Sequence, residues 1–279
     1  MKKIIQNNDL KVTINLMGGS LDSVILKKKN NTEALYQSND GAWKFKDVVI
    51  FPLIGKNEYE VDGIKYETPL RHGFIRSSLF EVKGEKENKI TILFKANEES
   101  KALYPFNFIY ELTYELKDNR LVVKPNIINL EKDKELPFMI GFHSAFNVNE
   151  NANIKFLVEE KSQKLINGLI SFDESFSLGN EIKLKDGLFK KQDTLVIKND
   201  HTILKLDTGF GYSLFYKLVE NSYIGIWTNP NNSSFICVEP WWGVSNYIDE
   251  AKNIYDIKYI NKVKTSQSFA YSIDFELEQ

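Results

Sequence analysis

The chain of 279 residues is short of the side chains that most often crosslink or carry chemistry: one cysteine, three histidines and three arginines, Arg71, Arg76 and Arg120. The lone Cys237 cannot close an internal disulfide, which fits a reducing compartment and a cytoplasmic location. No run of roughly 18 apolar residues occurs, so no helix is expected to span a membrane. The opening MKKIIQNNDLKV carries two lysines without the apolar stretch that a secretory signal needs. Charge of one sign is lacking too. With 36 basic against 38 acidic residues and no basic block, nucleic acid is not an expected partner. Helical periodicity, internal repeats and low-complexity linkers are likewise missing. One domain over residues 1–279 is expected, since all-β units often exceed 200 residues.

What is present is alternation. Phe269, Tyr271, Ile273, Phe275 and Leu277 alternate with Ser268, Ser272, Asp274, Glu276 and Glu278, the pattern of a half-buried strand. Phe108 to Leu116, the turn KDNR and the returning LVVKPNIINL read as a hairpin. Further strands are expected at 12–16, 24–28, 89–95, 154–158, 194–198, 202–206, 213–217, 223–227 and 234–238, with at most a helical turn or two near 249–254. Such closely spaced strands predict an all-β fold, an antiparallel β-sandwich with few short helices.

Three short segments concentrate the rare residues. RHGFIR, residues 71 to 76, places two of the three arginines around His72 in a chain that otherwise uses lysine. The forked guanidinium suits a carboxylate, a sugar or a phosphate, and a structural ion pair is the alternative for Arg76. In GFHSAFN, His143 sits in an apolar stretch, where a histidine is ordinarily a hydrogen-bonded core residue, and Asn147 adds an amide able to orient a hydroxylated ligand. In CVEPWWG, Glu239 precedes Pro240, which is expected to stop the sheet ladder and leave the carboxylate at a strand end. Burial beside Trp241 and Trp242 would raise its pKa and make it a usable base. The tryptophans offer flat faces to the C–H face of a sugar or fill the core. Two histidines and a glutamate also match a zinc ligand set, but no HExxH or similar short spacing accompanies them, and no GxSxG elbow marks a serine hydrolase.

Together, RHGFIR, GFHSAFN and CVEPWWG resemble the HGFAR, GFHPAFN and IEPW segments of the aldose 1-epimerases, or galactose mutarotases, and in particular a LacX-like bacterial branch. MGGSLDSV and VVIFPLIGK resemble two further segments of that family, so the matching pieces run in order from about residue 17 to 247. The resemblance implies a galactose mutarotase-like supersandwich with a carbohydrate cleft, no metal and no organic cofactor, acting on a small-molecule sugar as a monomer or homodimer. Glu239 would be the general base and His143 the general acid of α/β anomer interconversion. His72, Arg71, Lys56, Asn147, Trp242 and a mid-chain aspartate, Asp193, would bind substrate. Lys56 stands where the family usually has an arginine, and Ser144 replaces a proline after the histidine, which is expected to loosen the backbone there. The reading requires the imidazole and the carboxylate to face each other across a gap one pyranose wide. A hexose 6-phosphate held by Arg71, Arg76, Lys44, Lys46 or Lys56, or a sugar-binding relative without turnover, are the alternatives.

Overall fold

The computed structural model describes residues 1–192, 194–198, 203–218, 223–230 and 234–278. The expected alternation becomes strand over most of its length, with Phe269 and Ala270 separating Ser266–Ser268 from Tyr271–Leu277. Phe108–Lys117 and Arg120–Asn129 form the hairpin, with buried and half-exposed side chains in strict alternation. Among the described residues, a sixteen-stranded antiparallel sheet runs from Val49–Ile50 through Ile140–Phe142, Phe235–Trp242, Tyr223–Trp227 and Thr194–Lys198, on to Tyr271–Leu277, the hairpin and the edge strand Glu81–Lys86. A four-stranded sheet from Lys2–Gln6 to Thr32–Glu33 accompanies it.

The large sheet doubles back on itself to make the sandwich. Phe51, beside one end of the strand order, packs its ring 4.9 Å from Phe108 and 5.5 Å from Tyr110, near the other end. Phe142 and Tyr271 close the same space at 5.0 Å. One apolar cluster extends from Ile5 to Phe275 and supplies the main favourable term for folding.

Three local expectations change. The strand expected at 154–158 is Asn153–Ile166, half of a long bulged hairpin with Leu169–Lys183, whose few buried side chains break strict alternation. The turn expected near 249–254 is a 3₁₀ turn at Ile254–Asp256. An unanticipated α-helix, Glu98–Leu103, starts at a capping box between Asn97 and Ser100. In the last strand Leu277 is exposed and Asp274 is buried instead, because Arg120 and Lys217 both pair with that carboxylate. Among the described residues no helix is long and apolar enough to cross a membrane.

The loop carrying RHGFIR is threaded against Phe51. The Phe51 amide donates to the His72 carbonyl and the Phe74 amide to the Phe51 carbonyl. Gly73, at φ +78°, lies so close that a Cβ would stand 1.8 Å from the Phe51 carbonyl oxygen. Both the left-handed backbone and the contact demand glycine. Gly73→Ala is therefore expected to cost about 3 kcal/mol, or roughly 6–12 °C in melting midpoint. Gly84→Ala, where a Cβ meets nothing within 4 Å, should leave the midpoint in place. Equal midpoints for the two variants in thermal denaturation would contradict the threading.

Candidate active site

The strand Phe235–Trp242, flanked by Ile140–Phe142 and Tyr223–Trp227, carries the carboxylate. Pro240 does not stop it: the ladder to Tyr223–Trp227 continues past Glu239 through Pro240, paired with Ile224, to Trp241. The interruption falls on the opposite neighbour. Gly141 pairs with Trp241 and Ser144 with Val238, leaving Phe142 and His143 facing Pro240 and Glu239. Pro240 has no N–H to give, so the partner strand breaks at His143. The His143 N–H and C=O turn instead to Val48, at 2.9 and 3.1 Å. His143 and Glu239 thus form a non-hydrogen-bonded cross-strand pair, the kind in which opposite side chains come closest.

The two groups are in contact. His143 Nε2 lies 3.2 Å from Glu239 Oε1, with the carboxylate side chain 2% and the imidazole 12% exposed. The expected gap one pyranose wide is not there. Trp241, two residues along and on the same strand face, donates from Nε1 to Glu239 Oε2 at 3.2 Å. Its indole lies over two glycines: a Cβ at Gly225 would stand 2.3 Å from the ring and one at Gly141 2.8 Å. The indole of Trp43 stacks on the His143 ring at 4.7 Å and Trp227 meets it at an angle. Burial pushes the Glu239 carboxyl up to about 8, against the pull of the Trp241 hydrogen bond. Burial above all, with the nearby Arg76 charge, holds the His143 imidazole well below its ordinary range. Both directions describe a pair that shares one proton at neutral pH.

Ser144 does not loosen the backbone here. Its hydroxyl donates to Asp47 Oδ1 at 2.7 Å, and the Leu21 amide donates to Oδ2, pinning the strand behind His143. Burial pushes that carboxyl up to about 6.

A cleft of about 330 Å³ opens over the pair, within the size range of small-molecule sites. His72 and Arg71 line it with Glu239 and His143. His72, at φ +70°, accepts at Nδ1 from the Gly55 amide at 3.2 Å, which leaves its proton on Nε2. Burial and the nearby Arg76 and Arg71 charges lower its pKa to about 3, so it stays a neutral donor.

Three expected residues lie elsewhere. Asn147 spends its amide on the Glu33 and Leu35 carbonyls. Trp242, one residue out of phase with Glu239, points into the core against Phe269 and Tyr271. Lys56 pairs with Glu250 at 2.7 Å, outside the cleft lining. Through Glu250, which accepts from the Asn246 amide, Lys56 supports a residue that does line the cleft and that ties down the hairpin tip at the Gly168 carbonyl. Arg76 makes no ion pair among the described residues; it donates to the Arg71 carbonyl and lies over the Phe45 ring. Asp193 lies outside the described residues.

Of the two tryptophans offered for a sugar face, Trp241 lines the cleft; Trp227, Ser245, Asn246 and the apolar Leu165, Ile170 and Val196 were not anticipated there. Strand parity was the available signal for Trp241, since residues 239 and 241 share a face once the strand is known to continue. Among the described residues no group of three or more His, Cys, Asp or Glu has the arrangement of metal ligands.

Known proteins share this architecture. The chain is 27% identical to the chromosomal LacX protein of Lactococcus lactis subsp. lactis, over 98% of each chain. A crystal structure of a galactose mutarotase related enzyme from Lactobacillus acidophilus superposes with a TM-score of 0.92 at 26% identity, covering all of both chains. A galactose mutarotase-like protein from Lactobacillus casei shares the fold with a TM-score of 0.90 at 22% identity, over 99% of this chain and 100% of that one. The aldose 1-epimerase family model matches residues 2–259, and with that match over nearly the whole β-sandwich the chain belongs to the aldose 1-epimerase family.

Proposed function

We propose that the protein interconverts the α and β anomers of an unphosphorylated hexose by acid–base ring opening, with Glu239 and His143 as the reacting pair. The observation that carries this reading is the 3.2 Å contact between their side chains beneath a cleft of sugar size. Ring opening takes the proton from the C1 hydroxyl and gives one to the ring oxygen. Both oxygens are bonded to C1, so an acid and a base that touch each other reach both without spanning the ring. In the ion-pair form, the Glu239 carboxylate takes the hydroxyl proton while the His143 imidazolium donates to the ring oxygen. The C1–O5 bond breaks, the aldehyde forms, and the pair is left as carboxylic acid and neutral imidazole. After rotation about C1–C2, closure on the other face reverses both transfers, so the pair begins and ends with one proton. His72 Nε2–H and Arg71 supply donors to substrate oxygens. The resident pair needs no cofactor for these transfers.

The 6-phosphate reading calls for clustered cations. Of the basic residues named for it, Arg71 alone lines the cleft among the described residues; Lys46 pairs with Asp22 and Lys56 with Glu250. The proposal therefore expects less than about a tenfold preference for hexose 6-phosphates over free hexoses, with little salt sensitivity. A larger, salt-sensitive preference would favour the phosphate reading.

Polarimetry on freshly dissolved α-glucose or α-galactose tests the reaction directly. Glu239→Gln should lose about 10²- to 10⁴-fold in acceleration with the fold intact. Wild-type-like acceleration by that variant would remove Glu239 from the mechanism, and sugar binding without acceleration by the wild type would support the non-catalytic reading.

The pair's single proton sets the pH profile. Acceleration should fall as pH rises through about 8, where the pair loses that proton, and should persist below the ordinary histidine range, because the buried imidazole resists a second one. A single limb centred near the ordinary histidine value would contradict a coupled pair. Stability carries the same signature. The unfolded carboxyl ionises near 4.5 and the folded one holds its proton to about 8, so this group costs the fold progressively more as pH rises between those values. Glutamine carries no such cost. The melting midpoint of Glu239→Gln relative to wild type should climb across that interval, and a constant difference would mean the carboxyl is not raised.

A further inference from the structure

Ser245 follows the strand of Glu239 by a short turn and lines the same cleft. It is 1% exposed, yet its Oγ has no hydrogen-bond partner among the described residues. A buried hydroxyl left unpaired is unfavourable, and a group bound in the cleft that Ser245 lines could satisfy it. Its neighbour cannot play the same part with its amide nitrogen. Asn246 Nδ2 donates to the Gly168 carbonyl, and the Asn246 backbone amide is given to Glu250. The segment is also fixed in place: the Ile170 amide donates to the Asn246 carbonyl, and the Ile248 amide to the Ile170 carbonyl. Ser245 Oγ is thus an unspent polar atom held in a rigid wall.

The chemistry of that wall is complementary to a sugar in one further respect. His72, with Nδ1 engaged by Gly55, and Arg71 present only donors to the cleft. A sugar hydroxyl both donates and accepts, and Ser245 can do either. Leu165, Ile170 and Val196 give the same lining an apolar stretch that suits the C–H face of a ring.

We propose that Ser245 is a specificity-determining residue that hydrogen-bonds one ring or exocyclic hydroxyl of the hexose, so that the cleft selects sugars bearing a hydroxyl at that position. This rests on the sugar-anomer reading given above. It makes Ser245 a binding residue with no part in proton transfer.

The test is a cycle between Ser245→Ala and the 2-, 3-, 4- and 6-deoxy analogues of the best hexose, read by polarimetry for kcat/KM and by calorimetric titration for binding. In the wild type one analogue should lose about tenfold or more relative to the parent sugar. Ser245→Ala should lose a similar factor on the parent, mainly through KM, and should no longer distinguish that analogue from it. The remaining analogues should keep their wild-type ratios in the variant. The proposal is overturned if the variant retains wild-type kcat/KM and affinity, or if it loses uniformly on every analogue with its melting midpoint unchanged. A wild type that binds the sugars without turning them over ends the catalytic reading alone, because the titrations still run the cycle. A wild type that neither binds nor converts any hexose overturns both.

Discussion

The cross-strand register between Phe235–Trp242 and the interrupted strand around His143 is the constraint on which the site depends. Pairing of Gly141 with Trp241 and Ser144 with Val238 sets His143 opposite Glu239, and because side-chain direction alternates, a slip of one residue would send one of them to the other face. The register is held from several directions at once. Val48 takes both backbone groups of His143, Asp47 takes the Ser144 hydroxyl, and Trp241 fixes the carboxylate from its own strand. A buried acid and a buried imidazole would each be costly alone. Sharing one proton at 3.2 Å, they leave the interior neutral.

Much of the fold was legible because antiparallel strands with one buried face write their pattern directly into the sequence. Lys89–Lys95, Thr194–Lys198 and Tyr223–Trp227 fall where alternation or composition puts them. The long hairpin Asn153–Lys183 was only half visible, since its outer part buries few side chains and bulges shift its phase. Its tip did carry a signal: Asn167-Gly168, both at positive φ, is the pair preferred in tight hairpin turns.

The site was legible to the extent that rarity marks function. His143, Glu239, His72 and Arg71 stand out in a chain with three histidines and three arginines, and the structure brings these four to one cleft. The residues that went astray did so for local reasons. Trp242 lies on the other face of the strand from Glu239, because a proline whose missing N–H faces a broken neighbour leaves its own strand, and its alternation, intact. Asn147 lies on the strand after the break, where its amide serves the Glu33 and Leu35 carbonyls. The lysine at position 56, in place of an arginine, became half of an ion pair that acts through Glu250 on the wall of the cleft. Ser245 gave no signal, because only three-dimensional burial distinguishes its hydroxyl from the many other serines.

The indole of Trp241 rests on two glycines that lie far apart in the chain, Gly141 and Gly225, one on each flanking strand. The three positions therefore make a single steric unit across three strands. Mutational drift at any one of them is bound to the other two: no side chain fits at 141 or 225 while the indole lies flat, and a smaller residue at 241 would open a trough along the floor of the cleft. Such a triplet should change, over evolutionary time, as one character.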